Sequence, residues 1–147
     1  MKATTILGLD FGERRIGVAL SDIGKTLATG LTTLDCRRDP NFLETLGDII
    51  QEEGVEAIVV GYPLRTDGKT VAGAKTQAVD AFIAKLEAKF HLPVHREDES
   101  FTSQLASQSL KSRSKKKRRG REDKGAIDRV AACYILQDFL DNGTSTR

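Results

Sequence analysis

Thr4-Thr5-Ile6-Leu7-Gly8-Leu9-Asp10-Phe11-Gly12, followed almost at once by Arg15-Ile16-Gly17-Val18-Ala19-Leu20-Ser21-Asp22, decides the fold. Two short apolar runs parted by a tight turn read as paired strands, with Gly12 supplying the permissive backbone. A third strand is expected over Leu27 to Leu34, so three strands precede any helix. The first helix is marked by Asp39 as N-cap, Pro40 at the first helical position, Phe42, Leu43, Leu46, Ile49 and Ile50 at helical spacing, and Gly54 as the stop. Ala57 to Val60 has the β-branched character of a strand buried on both faces. Gly61-Tyr62-Pro63-Leu64 and Thr66-Asp67-Gly68 read as a loop, and Val79, Phe82, Ile83, Leu86 and Phe90 as the inner face of a second helix. A strand from Pro93 to about Glu97 ends at Asp98 and Glu99, and Thr102 can cap a short helix reaching about Leu110. The last helix, Ala126 to Leu140, turns Ile127, Val130, Ala131, Tyr134 and Ile135 to one side. This order predicts an α/β fold in which an antiparallel three-stranded start is extended by two βα units. The expected product is a single mixed five-stranded sheet with helices packed on it.

A chain of 147 residues is sized for one domain, here 1–147, and can bury a core without disulfides. No apolar run approaches the roughly 18 residues that span a bilayer, and the N-terminus does not read as a signal peptide. A soluble, cytoplasmic protein with no membrane partner is expected. Cys36 and Cys133 fit neither a redox pair nor a zinc pattern and read as reduced packing residues. The net charge of +2 conceals an uneven distribution. Lys111 to Lys124 carries 9 basic and 2 acidic residues, which leaves the rest of the chain at −5. The segment at about 111–124 lacks apolar periodicity and is expected to be a mobile loop. A concentrated cationic segment on an acidic body points to a polyanion, with nucleic acid foremost, and Lys115, Lys116, Lys117, Arg118 and Arg119 are the candidate phosphate contacts.

Ligands of such sheets gather at the carboxyl ends of parallel strands. Asp10 and the Asp98/Glu99 pair fall at such ends, and Asp128 is expected in the first turn of the last helix, with Ala131 and Ala132 leaving room beside it. Taken singly, each has an ordinary role as a turn residue, a solvated strand exit or a helix-start acid. Brought together, three carboxylates about 5 Å apart repel by roughly 3 kcal/mol per pair at an effective dielectric of 20, and so call for protons or divalent cations between them. Such a cluster suits Mg²⁺ or Mn²⁺, and two such ions can activate water and stabilise the leaving oxygen of a phosphodiester. His91 and His95 flank Pro93 and receive no metal role; with 5% aromatic residues and no Trp there is little sign of a base-stacking platform, Tyr62 and Phe101 being the only loop candidates.

Leu7-Gly8-Leu9-Asp10-Phe11-Gly12, Arg15-Ile16-Gly17-Val18-Ala19, Val59-Val60-Gly61-Tyr62-Pro63-Leu64 with Asp67-Gly68, Asp98-Glu99 before Phe101-Thr102-Ser103, and Ile127-Asp128 with Ala131-Ala132 and Ile135-Leu136-Gln137 together resemble the YqgF/RuvX family over nearly the whole chain. The resemblance implies an RNase H-like fold related to RuvC resolvases. It also implies a nuclease that matures the 5′ end of small-subunit ribosomal RNA, with Asp10, Glu99 and Asp128 as catalytic and metal-binding residues and Asp98 as rival to Glu99. Ser100 and Tyr62 depart from the family's usual arginine and leucine. The implied partner is a ribosomal RNA precursor, with ribosomal particles as its setting. A four-way DNA junction, cut by a resolvase, is the alternative substrate, and a non-catalytic RNA or ribosome binder is the other reading. Asp-Phe-Gly followed by a strand also resembles the phosphate loop of sugar kinases, but 147 residues supply one such domain where a nucleotide cleft needs two.

Overall fold

Strands β1 (Thr5–Phe11), β2 (Arg15–Ser21) and β3 (Ala28–Asp35) are followed by helix α1 (Phe42–Glu53), strand β4 (Val55–Tyr62), helix α2 (Ala74–Phe90), strand β5 (Val94–Asp98) and helix α3 (Gly120–Gly143) in the computed structural model. It describes residues 4–12, 14–62, 74–98 and 120–143. The five strands form one mixed sheet in the order β3-β2-β1-β4-β5. The first three strands pair antiparallel, and β4 lies parallel to both β1 and β5. This is the expected α/β architecture.

Strand alternation divides the core in two. Leu7, Leu9, Ile16, Val18, Ile58 and Val60 face α1 and α2, where Leu46, Val79, Phe82, Ile83 and Leu86 close over them. The alternate residues Ile6, Ala19 and Val59 meet Ala132, Ile135, Leu136 and Leu140 of α3. Because β1 and β4 are covered on both sides, they read as continuous apolar runs.

Helix α3 lies unusually near the sheet because the sheet offers glycine where it crosses. A Cβ on Gly8 would stand 2.7 Å from the Leu136 Cβ and 3.3 Å from the Ala132 carbonyl oxygen, and one on Gly17 would fall on the Asp128 carbonyl. Ala131 and Ala132 are buried in this contact. Ala132, whose carbonyl faces Gly8, helps bring the helix onto the sheet. Gln137 completes the docking, accepting from the Ala28 amide at 2.9 Å and donating to the Thr26 carbonyl at 2.9 Å.

Several boundaries differ from expectation. Helix α1 begins at Phe42 with Asn41 in the cap position, because the Asp39 carboxylate instead accepts from the Asn41 amide and the Thr45 hydroxyl. Its end is as read: Gly54 is left-handed at φ 64° and donates to Ile50, a conformation that favours glycine. Gly61 and Tyr62 belong to β4, not to a loop. Helix α3 begins at Gly120, so the last five residues of the proposed basic loop are helical and Asp128 lies in the third turn. Lys and Arg are good helix formers, and the absence of an apolar stripe hid that start. The remainder of the loop, with Lys115 to Arg119, lies outside the described residues, as do 63–73 and the proposed helix at 102–110. Both cysteines are free thiols, and burial pushes each above its ordinary pKa.

Candidate active site

Asp10 is the penultimate residue of β1, between the fully buried Leu9 and Phe11, whose ring stacks on Phe82 at 4.5 Å. Those neighbours belong to the α2 side, so alternation turns position 10 to the α3 side with Ile6 and Gly8. Its cross-strand partner on β2 is Gly17, against which the Asp128 backbone rests. Directly opposed residues of an antiparallel pair share a face. The pairing of β1 with β2 and the close approach of α3 therefore bring Asp10 and Asp128, 118 positions apart in sequence, to the same face at the carboxyl end of β1.

Asp128 is held by Arg15, whose Nε donates to Oδ2 at 3.0 Å. The side chains of the pair are 32% and 22% exposed, so the contact is partly shielded from water. Burial pushes the Asp128 carboxyl above its usual range, against the opposing pull of Arg15 and, more weakly, Arg129. Arg129 itself reaches the Thr33 hydroxyl on β3. Arg15 was not among the residues singled out in the sequence. An arginine opening an otherwise apolar strand, two positions before Gly17, is the signal that could have found it.

On β5, His95 packs against Phe139 of α3 at 5.0 Å between ring centroids, whereas Arg96 pairs with Asp80 of α2 at 3.3 Å. The odd-numbered positions of β5 thus share the face of Asp10, and Glu97, paired in register with Gly61, is one of them. Asp98 is in register with Tyr62. The Tyr62 hydroxyl donates to Asp80 at 3.1 Å and Arg96 covers its ring at 5.4 Å, so this aromatic is engaged within the fold and is not a loop platform for bases. Glu99, Ser100 and Phe101 lie outside the described residues. Among the described residues no group of three or more His, Cys, Asp or Glu side chains comes together as a metal site. Of the three expected carboxylates, Asp10 and Asp128 are brought to one face and the third is not described.

The donors present are hard carboxylate oxygens, one of them partly desolvated and balanced by a cation, which fits Mg²⁺ or Mn²⁺ in ligand type.

Residues 4–142 match the family model described as “RuvX: Holliday junction resolvase”. Relatives described as “Putative pre-16S rRNA nuclease” include one from Chloroflexus aggregans, 40% identical over 141 residues with 96% of each chain covered. Another, from Moorella thermoacetica, is 43% identical over 136 residues, covering 92% of this chain and 94% of the relative. Among solved structures, Thermus thermophilus RuvC in complex with a Holliday junction substrate superposes with a TM-score of 0.55 at 12% identity, over 97% of both chains. The fowlpox virus resolvase with its junction DNA gives a TM-score of 0.54 at 10% identity, over 93% of this chain and 97% of that one. These likenesses extend the RNase H-like fold seen in the sheet order, and the family match covers almost every described residue: the chain belongs to the RuvX family of nucleases.

Proposed function

We propose that this protein is a Mg²⁺- or Mn²⁺-dependent nuclease that trims the 5′ end of precursor 16S ribosomal RNA in the cytoplasm, on or near ribosomal particles. The observation that carries the reading is the placement of Asp10 and Asp128 on one face at the carboxyl end of β1, with Arg15 beside them. Asp10, Asp128 and Glu99 would hold the cations. Glu99 is preferred to Asp98 because its side chain is the longer of the two and reaches further towards Asp10. When bound, divalent cations supply an activated water and stabilise the leaving oxygen of the phosphodiester. The chain's own part is to fix Asp10 on a strand and Asp128 on a helix, with Gly17 admitting the Asp128 backbone where the Cβ of any other residue would stand. Lys115, Lys116, Lys117, Arg118 and Arg119 are proposed to hold flanking phosphates, adding affinity without sequence preference.

The second reading is cleavage of a four-way DNA junction, favoured by the family description and by the fold shared with junction-bound RuvC. A panel of precursor 16S leader RNA, unrelated single-stranded RNA and a four-way DNA junction, each with Mg²⁺, Mn²⁺ or chelator, separates them. The proposal expects metal-dependent cutting of the leader ahead of the other two. Preferred cutting of the junction transfers the assignment to DNA, and binding without turnover on every substrate supports a non-catalytic RNA binder.

A further inference from the structure

Arg15 opens β2 on the face that carries Asp10, and it stands two residues before Gly17, the partner of Asp10. Diagonal neighbours of this kind lie roughly 7 to 8 Å apart, within reach of a long side chain. Its Nε bond ties it to Asp128 across 113 positions of sequence. Arg15 is therefore placed by topology next to one carboxylate and by direct contact at the other. The bond engages Nε; the two terminal nitrogens of the guanidinium are not part of it, and the side chain keeps a third of its surface exposed. Arg129, the other arginine near Asp128, is directed to Thr33.

We propose that Arg15 is a place-holder for the divalent cation: it fixes the Asp128 carboxylate while the metal is absent, and its guanidinium moves to the scissile phosphate once the cation takes over that carboxylate. The inference rests on the metal-dependent reading above. A partly exposed ion pair suits such an exchange. It orients the carboxylate, yet with side chains 32% and 22% exposed it stays open to a competing cation. A planar guanidinium with its terminal donors uncommitted to that bond is matched to two phosphate oxygens in a way that a lysine ammonium is not.

The test is Mn²⁺ affinity of the full chain without substrate, read from the electron paramagnetic resonance of free Mn²⁺, for wild type, Arg15→Gln, Arg15→Lys and Asp128→Asn. Removing a competing positive charge should tighten Mn²⁺ binding about threefold or more in Arg15→Gln, the scale of one partly exposed ion pair, and leave it near wild type in Arg15→Lys. At saturating Mn²⁺, kcat on RNA should fall by about 10²-fold in Arg15→Gln, with Arg15→Lys recovering only part of the loss. A merely structural arginine would not give tighter metal binding together with slower cleavage. If Asp128→Asn loses Mn²⁺ while Arg15→Gln binds it as wild type does or more weakly, the place-holder role is overturned and the metal centre stands. If Asp128→Asn binds Mn²⁺ as wild type does, the metal centre itself is overturned, and the role of Arg15 with it.

Discussion

Gly17 shows how much of the site depends on one missing methyl group. The Asp128 carbonyl occupies the place where its Cβ would be, and both atoms are backbone-fixed, so neither can yield cheaply. Gly17→Ala should push α3 away from β2, at a cost of about 1 to 3 kcal/mol in stability, and displace Asp128 from Asp10. A displacement near 1 Å is enough to lower cleavage by about 10²-fold. Gly30→Ala is the matched control. There a Cβ meets the Arg129 Cβ and the Cys133 Sγ at an ordinary 3.5 Å, and thermal unfolding and turnover should both stay close to wild type. Equal activity in the two variants would remove Gly17 from the account. The glycine's role was not legible in Arg15-Ile16-Gly17-Val18, where it looked like one more small residue in a strand. The same holds for Arg15, whose partner is 113 positions away and is found only when the helix is laid on the sheet.

At the scale of the elements, the strands and the end of α1 could be read because their signals are local: apolar runs, turn residues and a glycine stop. The starts of α1 and α3 could not. Asp39 serves a turn where a cap was expected, and the first turns of α3 are charged all round. The β2–β3 connection supplies a pH-dependent test. Asp22 accepts from the Leu27 amide at 3.0 Å and from the Thr26 amide at 2.8 Å, and these bonds hold its carboxyl below the ordinary value of 3.8. A lowered folded-state pKa means that the stabilisation is present above about pH 4 and is lost as pH falls through the lowered value. Asp22→Ala should therefore melt below wild type at pH 7, with the gap narrowing as the pH is taken into the acid range. A gap independent of pH would show that the carboxylate charge is not what closes the turn. Glu99, the longer of the two side chains, is preferred to Asp98 as the third carboxylate, so Glu99→Gln should lose cleavage and Asp98→Asn should retain most of it. The opposite pattern in single-turnover assays reverses the assignment.

The whole molecule combines an acidic body at −5 with a basic segment at +7, and the carboxylates of the site belong to the acidic part. Such a surface should repel a polyanion everywhere except at the basic segment, so substrate affinity should be strongly salt-dependent. Neutralising Lys115, Lys116, Lys117, Arg118 and Arg119 should flatten log K against log salt by about 0.7 per lost contact on single strands or 0.9 on duplex, with little change in turnover at saturation. An unaltered salt slope would leave the segment without a role in binding. Asp10→Asn and Asp128→Asn are near-isosteric, and an asparagine at 128 keeps an oxygen that can accept from Arg15, so the metal-free fold should stay intact. The most direct measurement is single-turnover cleavage of precursor 16S leader RNA in Mn²⁺ by wild type, Asp10→Asn and Asp128→Asn, each first shown to melt cooperatively. The account predicts cleavage by wild type and its loss, by at least about 10³-fold, in both variants, since each removes part of what would hold the cations. Wild-type turnover in both would contradict it.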